Sequence, residues 1–267
     1  MYFQQFPVTK CCLCGNYENL TGEHKIKAAA LRKEFGKEPL MVGVSGESNR
    51  AMKSAQSVKS KHLKFKVRIC ETCNTSRTQQ ADREFDRFHG LVAERVKNNQ
   101  EPVSVFSPEL YLEGGDSYLN IFRYFAKLLC CHIAEVAGPI PTTLAEFAIS
   151  RNSLNRIWLE IKVDPFFSHA SSNFGVEQYA AHGGLIVNGD KNTKELNAYR
   201  STITIGPVLY VFHICLETFE KEELQKIYPD FLTLCKAKFE QAKSNQASDW
   251  DLAQVGLNTN DAMFLED

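Results

Sequence analysis

Cys11-Cys12-Leu13-Cys14 and Cys70-Glu71-Thr72-Cys73 form two Cys-x-x-Cys knuckles. Four thiolates so spaced are what a tetrahedral zinc needs to close a loop-rich segment. The ligands this spacing selects are Cys11, Cys14, Cys70 and Cys73, with Cys12 competing only through a tighter arrangement of poorer geometry. With every position filled by sulfur the zinc binds no water and is structural. Chemistry would need other groups. Glu23-His24 lies between the knuckles and Asn74 directly follows the last cysteine. Glu23 offers a carboxylate and Asn74 a carbonyl oxygen, hard ligands suited to a catalytic magnesium or manganese ion. His24, next to one ligand but pointing elsewhere, is then free to act as general base on a water beside a phosphate.

The elements that position these residues are legible in outline. Residues 8–24 are expected to form a knuckle and a hairpin ending near His24, and residues 25–69 a long basic insertion. The insertion carries twelve Lys and Arg against three Glu, and Gly43 to Asn49 reads as a flexible loop. After Cys73, Ala81, Phe85, Phe88, Val92 and Val96 fall at helical spacing. The periodicity stops at Asn98-Asn99-Gln100-Glu101-Pro102, where a domain boundary is expected. Beyond it Tyr118 to Val136 forms an amphipathic helical stripe, and Leu144 to Ile149 a short helix. Gly184–Val187, Tyr199–Ile205 and Val208–Leu216 are β-rich, Asn188-Gly189-Asp190 reads as a turn, and helices flank Pro229. Residues 244–267 contain no Lys or Arg and five acids, the composition of a mobile tail.

The net charge of -1 hides a polarised chain. Residues 1–100 hold 18 basic side chains against 10 acidic, and residues 101–267 hold 13 against 22. A basic front is suited to a polyanion, and phosphate contact is expected from Lys25, Lys27, Lys64, Lys66 and Arg77. Nine cysteines, an odd number, with two knuckles and no apolar leader fit a reducing cytoplasm. The stretch Tyr118 to Ala137 is interrupted by Arg123, Lys127, His132 and Glu135, so no membrane span is expected.

Taken together, the order Cys-x-x-Cys, acid-His, Cys-x-x-Cys-Asn resembles the HNH, or ββα-metal, nucleases. It is closest to their zinc-containing branch, which includes the phage junction-resolving endonuclease VII. The run from Cys70 through Asn74 to Arg77 is also similar to the helix entry of many phage and bacterial HNH proteins. The resemblance covers about residues 8–98. It implies a β-hairpin with His24 at its end, packed on a helix starting near Cys70. It further implies His24 as general base, Glu23 as the acidic metal ligand and Asn74 as the last motif position. Asn49 is the candidate for the middle position, which orients the imidazole. Glu23 stands where the family has Asp, and the 45 residues between His24 and Cys70 exceed the usual loop.

The expected architecture is therefore α+β. A zinc-stapled ββα-metal (HNH) module spans 1–100 with the insertion 25–69, a mixed helix and sheet domain spans 101–243, and the acidic tail spans 244–267. The expected activity is one-metal hydrolysis of DNA, duplex or branched, leaving a 5′ phosphate, in a phage or in bacterial antiviral defence. Two other functions fit the same residues. One is a zinc-stapled nucleic-acid binder without catalysis. The other is a nuclease gated by a C-terminal domain that senses a ligand, a protein partner or a second copy of the chain.

Overall fold

The computed structural model describes residues 1–44, 53–174, 178–190, 192–244 and 252–257. Strand β1 (Phe3–Gln4) leads into the first knuckle and β2 (Leu20–His24) follows it. The chain after His24 folds as α1 (Ala28–Phe35), β3 (Leu40–Val44) and β4 (Lys53–Ala55) before reaching β5 (Lys64–Cys70). A π-helical turn (Thr72–Arg77) feeds α2 (Gln79–Lys97). Next come α3 (Asp116–Glu135), β6 (Ile140–Pro141), α4 (Thr142–Ala148), β7 (Trp158–Val163) and α5 (Pro165–Phe174). The chain continues through β8 (Tyr179–His182), β9 (Leu185–Asp190), β10 (Leu196–Ile205) and β11 (Val208–Cys215). It ends with α6 (Thr218–Ile227), α7 (Pro229–Ser244) and β12 (Leu252–Leu257). The mixed α+β class is as expected.

The hairpin that carries His24 is not contained in residues 8–24. β2 pairs antiparallel with β5, Leu20 opposite Cys70 and His24 opposite Lys64. The reason is the period-2 pattern of β5, which buries Phe65, Val67 and Ile69 and exposes Lys64, Lys66 and Arg68. Such alternation gives a strand one dry face and one wet face. The basic insertion is structured over much of its length. Its β3 runs parallel to β8, Met41 opposite Tyr179, inside the large sheet ordered β12-β9-β10-β8-β3-β4. Residues on both sides of the turn near Asn98 therefore feed one continuous core. The proposed loop and the motif candidate Asn49 fall mainly or wholly outside the described residues.

Two further expectations change. Asn188, Gly189 and Asp190 belong to β9; the reversal follows them, with Asp190 Oδ1 accepting from the Asn192 and Thr193 amides. Residues 252–257 of the acidic tail form β12, which pairs with β9 from Leu252–Asp190 to Leu257–Leu185. The alternating Leu252, Gln254, Gly256 and Ala253, Val255, Leu257 sets supply a strand despite the acidic surroundings.

Helix α3 is the centre of the molecule rather than an amphipathic surface helix. Every residue from Leu119 to Ile133 is buried. Phe85 of α2 stacks on Tyr124 at 3.8 Å between centroids and meets Phe125 edge-on. Its polar residues are satisfied unevenly: Tyr124 Oη, Arg123 Nε and both ring nitrogens of His132 are buried without a hydrogen-bond partner. Arg123 donates to Asn120 Oδ1 at 3.0 Å and lies over the Phe147 ring. No helix among the described residues is long and apolar enough to cross a membrane.

Burial also makes the fold acid-sensitive. Desolvation pushes His89 down to about 4 and His182 down to about 3, and it lowers His132 in the same direction. The unfolded chain takes up these protons near pH 6.5 while the native state resists. Stability contributed by the neutral rings is thus full above about pH 6.5 and is lost as pH falls toward the depressed values. The expected loss is on the order of 3 kcal/mol for His89 alone by pH 4. Urea titrations at pH 7 and pH 4.5 should show a smaller pH difference for His89→Asn than for wild type, and equal differences would refute the assignment.

Candidate functional site

The first knuckle is a tight turn in which the Gly15 amide donates to the Cys11 carbonyl at 2.8 Å and the Cys11 amide to Asn16 at 2.7 Å. Gly15 has φ +74, and a Cβ there would meet the Phe6 ring at 2.8 Å. The second knuckle straddles the end of β5 and the π-helical turn, whose wide winding is closed by Thr78 N–H to Cys73 O. The β2–β5 pair brings the knuckles together. Ligand atoms of Cys11, Cys14, Cys70 and Cys73 all lie within 4.8 Å of one another, with three of the residues buried and Cys14 half-buried. A zinc tetrahedron with Zn–S near 2.3 Å has sulfur–sulfur edges of about 3.8 Å. The Cys14–Cys70 separation is 3.6 Å, so the quartet fits such an ion. Hydrogen bonding from Cys73 lowers the Cys11 thiol to about 5, while the same bond pushes Cys73 up and burial raises Cys14. Arg77 Nη1 lies 3.6 Å from Cys73 Sγ and faces sulfur charge directly.

His24 sits at the far end of the strand pair from the quartet. Burial pushes its imidazole below the usual 6.5, helped by the nearby cations Lys64 and Arg32 and opposed by Glu23. The Val58 backbone also opposes the shift, more weakly. Nε2 is buried without a hydrogen-bond partner.

Glu23 and Asn74 do not share an ion site. Glu23 Oε1 accepts from Lys127 Nζ at 3.0 Å, and the same ammonium bonds Asp82 Oδ1 at 2.6 Å. Lys127 is 1% exposed. Burial by itself would strip its proton, but the two carboxylates outweigh that and raise its pKa. Asn74 Nδ2 donates to Thr21 Oγ1 at 3.0 Å, and that hydroxyl donates to Ile69 O. The asparagine ties the helix entry to β2. Among the described residues the cysteine quartet is the group of Cys, His, Asp or Glu donors close enough to hold a metal. The residues present do not fit a preformed magnesium or manganese site, because an ammonium already neutralises the carboxylate meant for it.

The proposed phosphate contacts divide as well. Lys25 pairs with Glu135 at 2.8 Å and Lys27 with Asp86 at 3.5 Å, so both serve internal ion pairs. Lys64 and Lys66 stay exposed on β5, in a row with Arg68. Arg77 faces the cysteine sulfurs. Sequence reasoning missed Lys127 and Asp82, whose pairing spans 45 residues. No family model, curated protein or solved structure matches this chain, so its chemistry is read from these residues alone.

Proposed function

We propose that the chain is a nucleic-acid phosphodiester hydrolase in which His24 is the general base. In this reading β2, β5 and α2, clamped by a zinc-bound quartet, make up a ββα (HNH-type) module. The observation that carries it is the state of His24: burial lowers its pKa, so the ring is neutral near pH 7, and its Nε2 is buried without a hydrogen-bond partner. Such a ring accepts a proton from water as the water attacks phosphorus, while the 3′ oxygen leaves and takes its proton from solvent. Lys64 and Arg32, whose charges act on His24, oppose the phosphate charge. No step is routed through a divalent ion. Nε2 is also covered, so substrate entry has to displace a neighbouring group before the ring acts.

Cleavage of plasmid and branched DNA, with and without added magnesium or manganese, tests this. His24→Asn is expected to lower the rate by about 10²–10⁴ with an unchanged melting temperature. The wild-type rate should rise with pH along a limb lying below 6.5, because the neutral ring is the active form. Equal rates in the two proteins would remove His24 from the reaction. A second reading, a zinc-stapled nucleic-acid binder, is favoured by the Lys127–Glu23 ion pair and the covered Nε2. Absence of cleavage on DNA and RNA alike, with binding retained, would select it.

A further inference from the structure

Beside the cysteine quartet, at the opposite end of the β2–β5 pair from His24, lies a depression of about 320 Å³. It is lined by Cys14, Gly15, Asn16, Tyr17, Cys70, Thr72, Arg77 and Arg151. Its volume falls within the roughly 300–1,000 Å³ of small-ligand sites. Two guanidiniums reach it from separate parts of the chain, one from the π-helical turn and one from the turn after α4. Among the described residues no carboxylate lines it.

The two arginines differ in how they are engaged. Arg77 faces Cys73 Sγ and offsets the charge of the sulfurs, which would otherwise repel an anion from this wall. Arg151 has no side-chain partner among the described residues. Its backbone is nevertheless fixed. Ser150 takes a positive φ of 59, and the Arg151 amide donates to Glu146 O at 2.8 Å. The guanidinium is thus presented from an ordered turn. Tyr17 supplies the third component, since its ring is 71% exposed at the rim. An exposed aromatic beside guanidiniums is the combination that stacks a base and holds the adjoining phosphate.

The exposed row Lys64, Lys66 and Arg68 on β5 runs between this depression and His24. Six residue steps of strand span about 20 Å, a length that several nucleotides of a strand would follow.

We propose that this depression is a nucleotide subsite for a single strand of nucleic acid, with Tyr17 stacking on a base and Arg151, assisted by Arg77, holding the next phosphate. The assignment deepens the nucleic-acid reading above and rests on it for the class of ligand, but not for catalysis.

The test is fluorescence anisotropy of a labelled thymidine oligonucleotide with full-length, zinc-loaded protein. A His24→Asn background prevents cleavage during the measurement. Tyr17→Ala and Arg151→Ala are each expected to weaken binding about tenfold or more, while Tyr17→Phe stays within about twofold. Both sites lie on the surface, and unchanged metal content and melting temperature exclude a folding defect. Equal affinity in wild type and both alanine variants overturns the proposal. So does thymidine monophosphate competing as strongly as the oligonucleotide, or a phosphopeptide binding with the same losses. Binding that depends on Tyr17 and Arg151 in a protein that cleaves nothing would retain this subsite and discard the hydrolase. Failure of the wild type to bind any oligonucleotide would discard both.

Discussion

Removing the metal from the quartet, by a strong chelator or by Cys73→Ser, is expected to destabilise the protein more than any single core substitution. Four sulfurs packed within 4.8 Å are a poor arrangement of thiols but a good cage for an ion. Binding energies of structural zinc are on the order of 10 kcal/mol, and they appear as folding energy because the unfolded chain has no site. A whole domain is stable by only about 5–15 kcal/mol, so the loss is comparable with the total. The damage should spread, because the knuckle continues into the interior. Cys12 is buried between the ligands with its sulfur 3.8 Å from that of Cys131 on α3, and Leu13 is also buried. Metal analysis should find one zinc per chain in wild type and none in Cys73→Ser, with the melting transition lowered or lost. A purified wild type free of metal, melting at the same temperature with and without chelator, would contradict the cage.

Lys127→Met is the second large effect. The substitution removes the ammonium held between Glu23 and Asp82, 13% and 17% exposed, leaving Glu23 without its partner and Asp82 with only the longer Lys27 pair at 3.9 Å. Breaking a buried ion pair from one side costs about 3–5 kcal/mol. In a chain of this size each kcal/mol moves the midpoint by about 2–4 °C. Much of the loss should return in the triple variant with Glu23→Gln and Asp82→Asn, since no unpaired charge then remains. Differential scanning calorimetry of the single and triple variants decides it. A single variant that melts with wild type would mean that the triad contributes nothing to the fold.

These two sites differ in how far the sequence disclosed them. The quartet was legible because a ligand set is written in residue type and local spacing, and both knuckles are local. The same holds for α2, where Ala81, Phe85, Phe88 and Val92 are buried at the expected interval, and for β10 and β11. The triad was not legible. A lysine in a helix reads as a break in its apolar face, and only the fold brings it to carboxylates 104 and 45 residues away. Strand β5 was hidden for another reason. Counting its three cations as an insertion's charge obscured their alternation with Phe65, Val67 and Ile69.

The parallel pairing of β3 with β8 has a consequence for how the protein is made. Met41 leaves the ribosome well before Tyr179, its neighbour in the sheet, so the nascent chain carries an open β edge until β8 has emerged. Closing that contact late costs loop entropy, and an uncovered edge invites pairing with other chains. Chaperone demand during translation should therefore concentrate on the interval before β8 emerges, and a polypeptide cut near residue 100 would keep that edge permanently open.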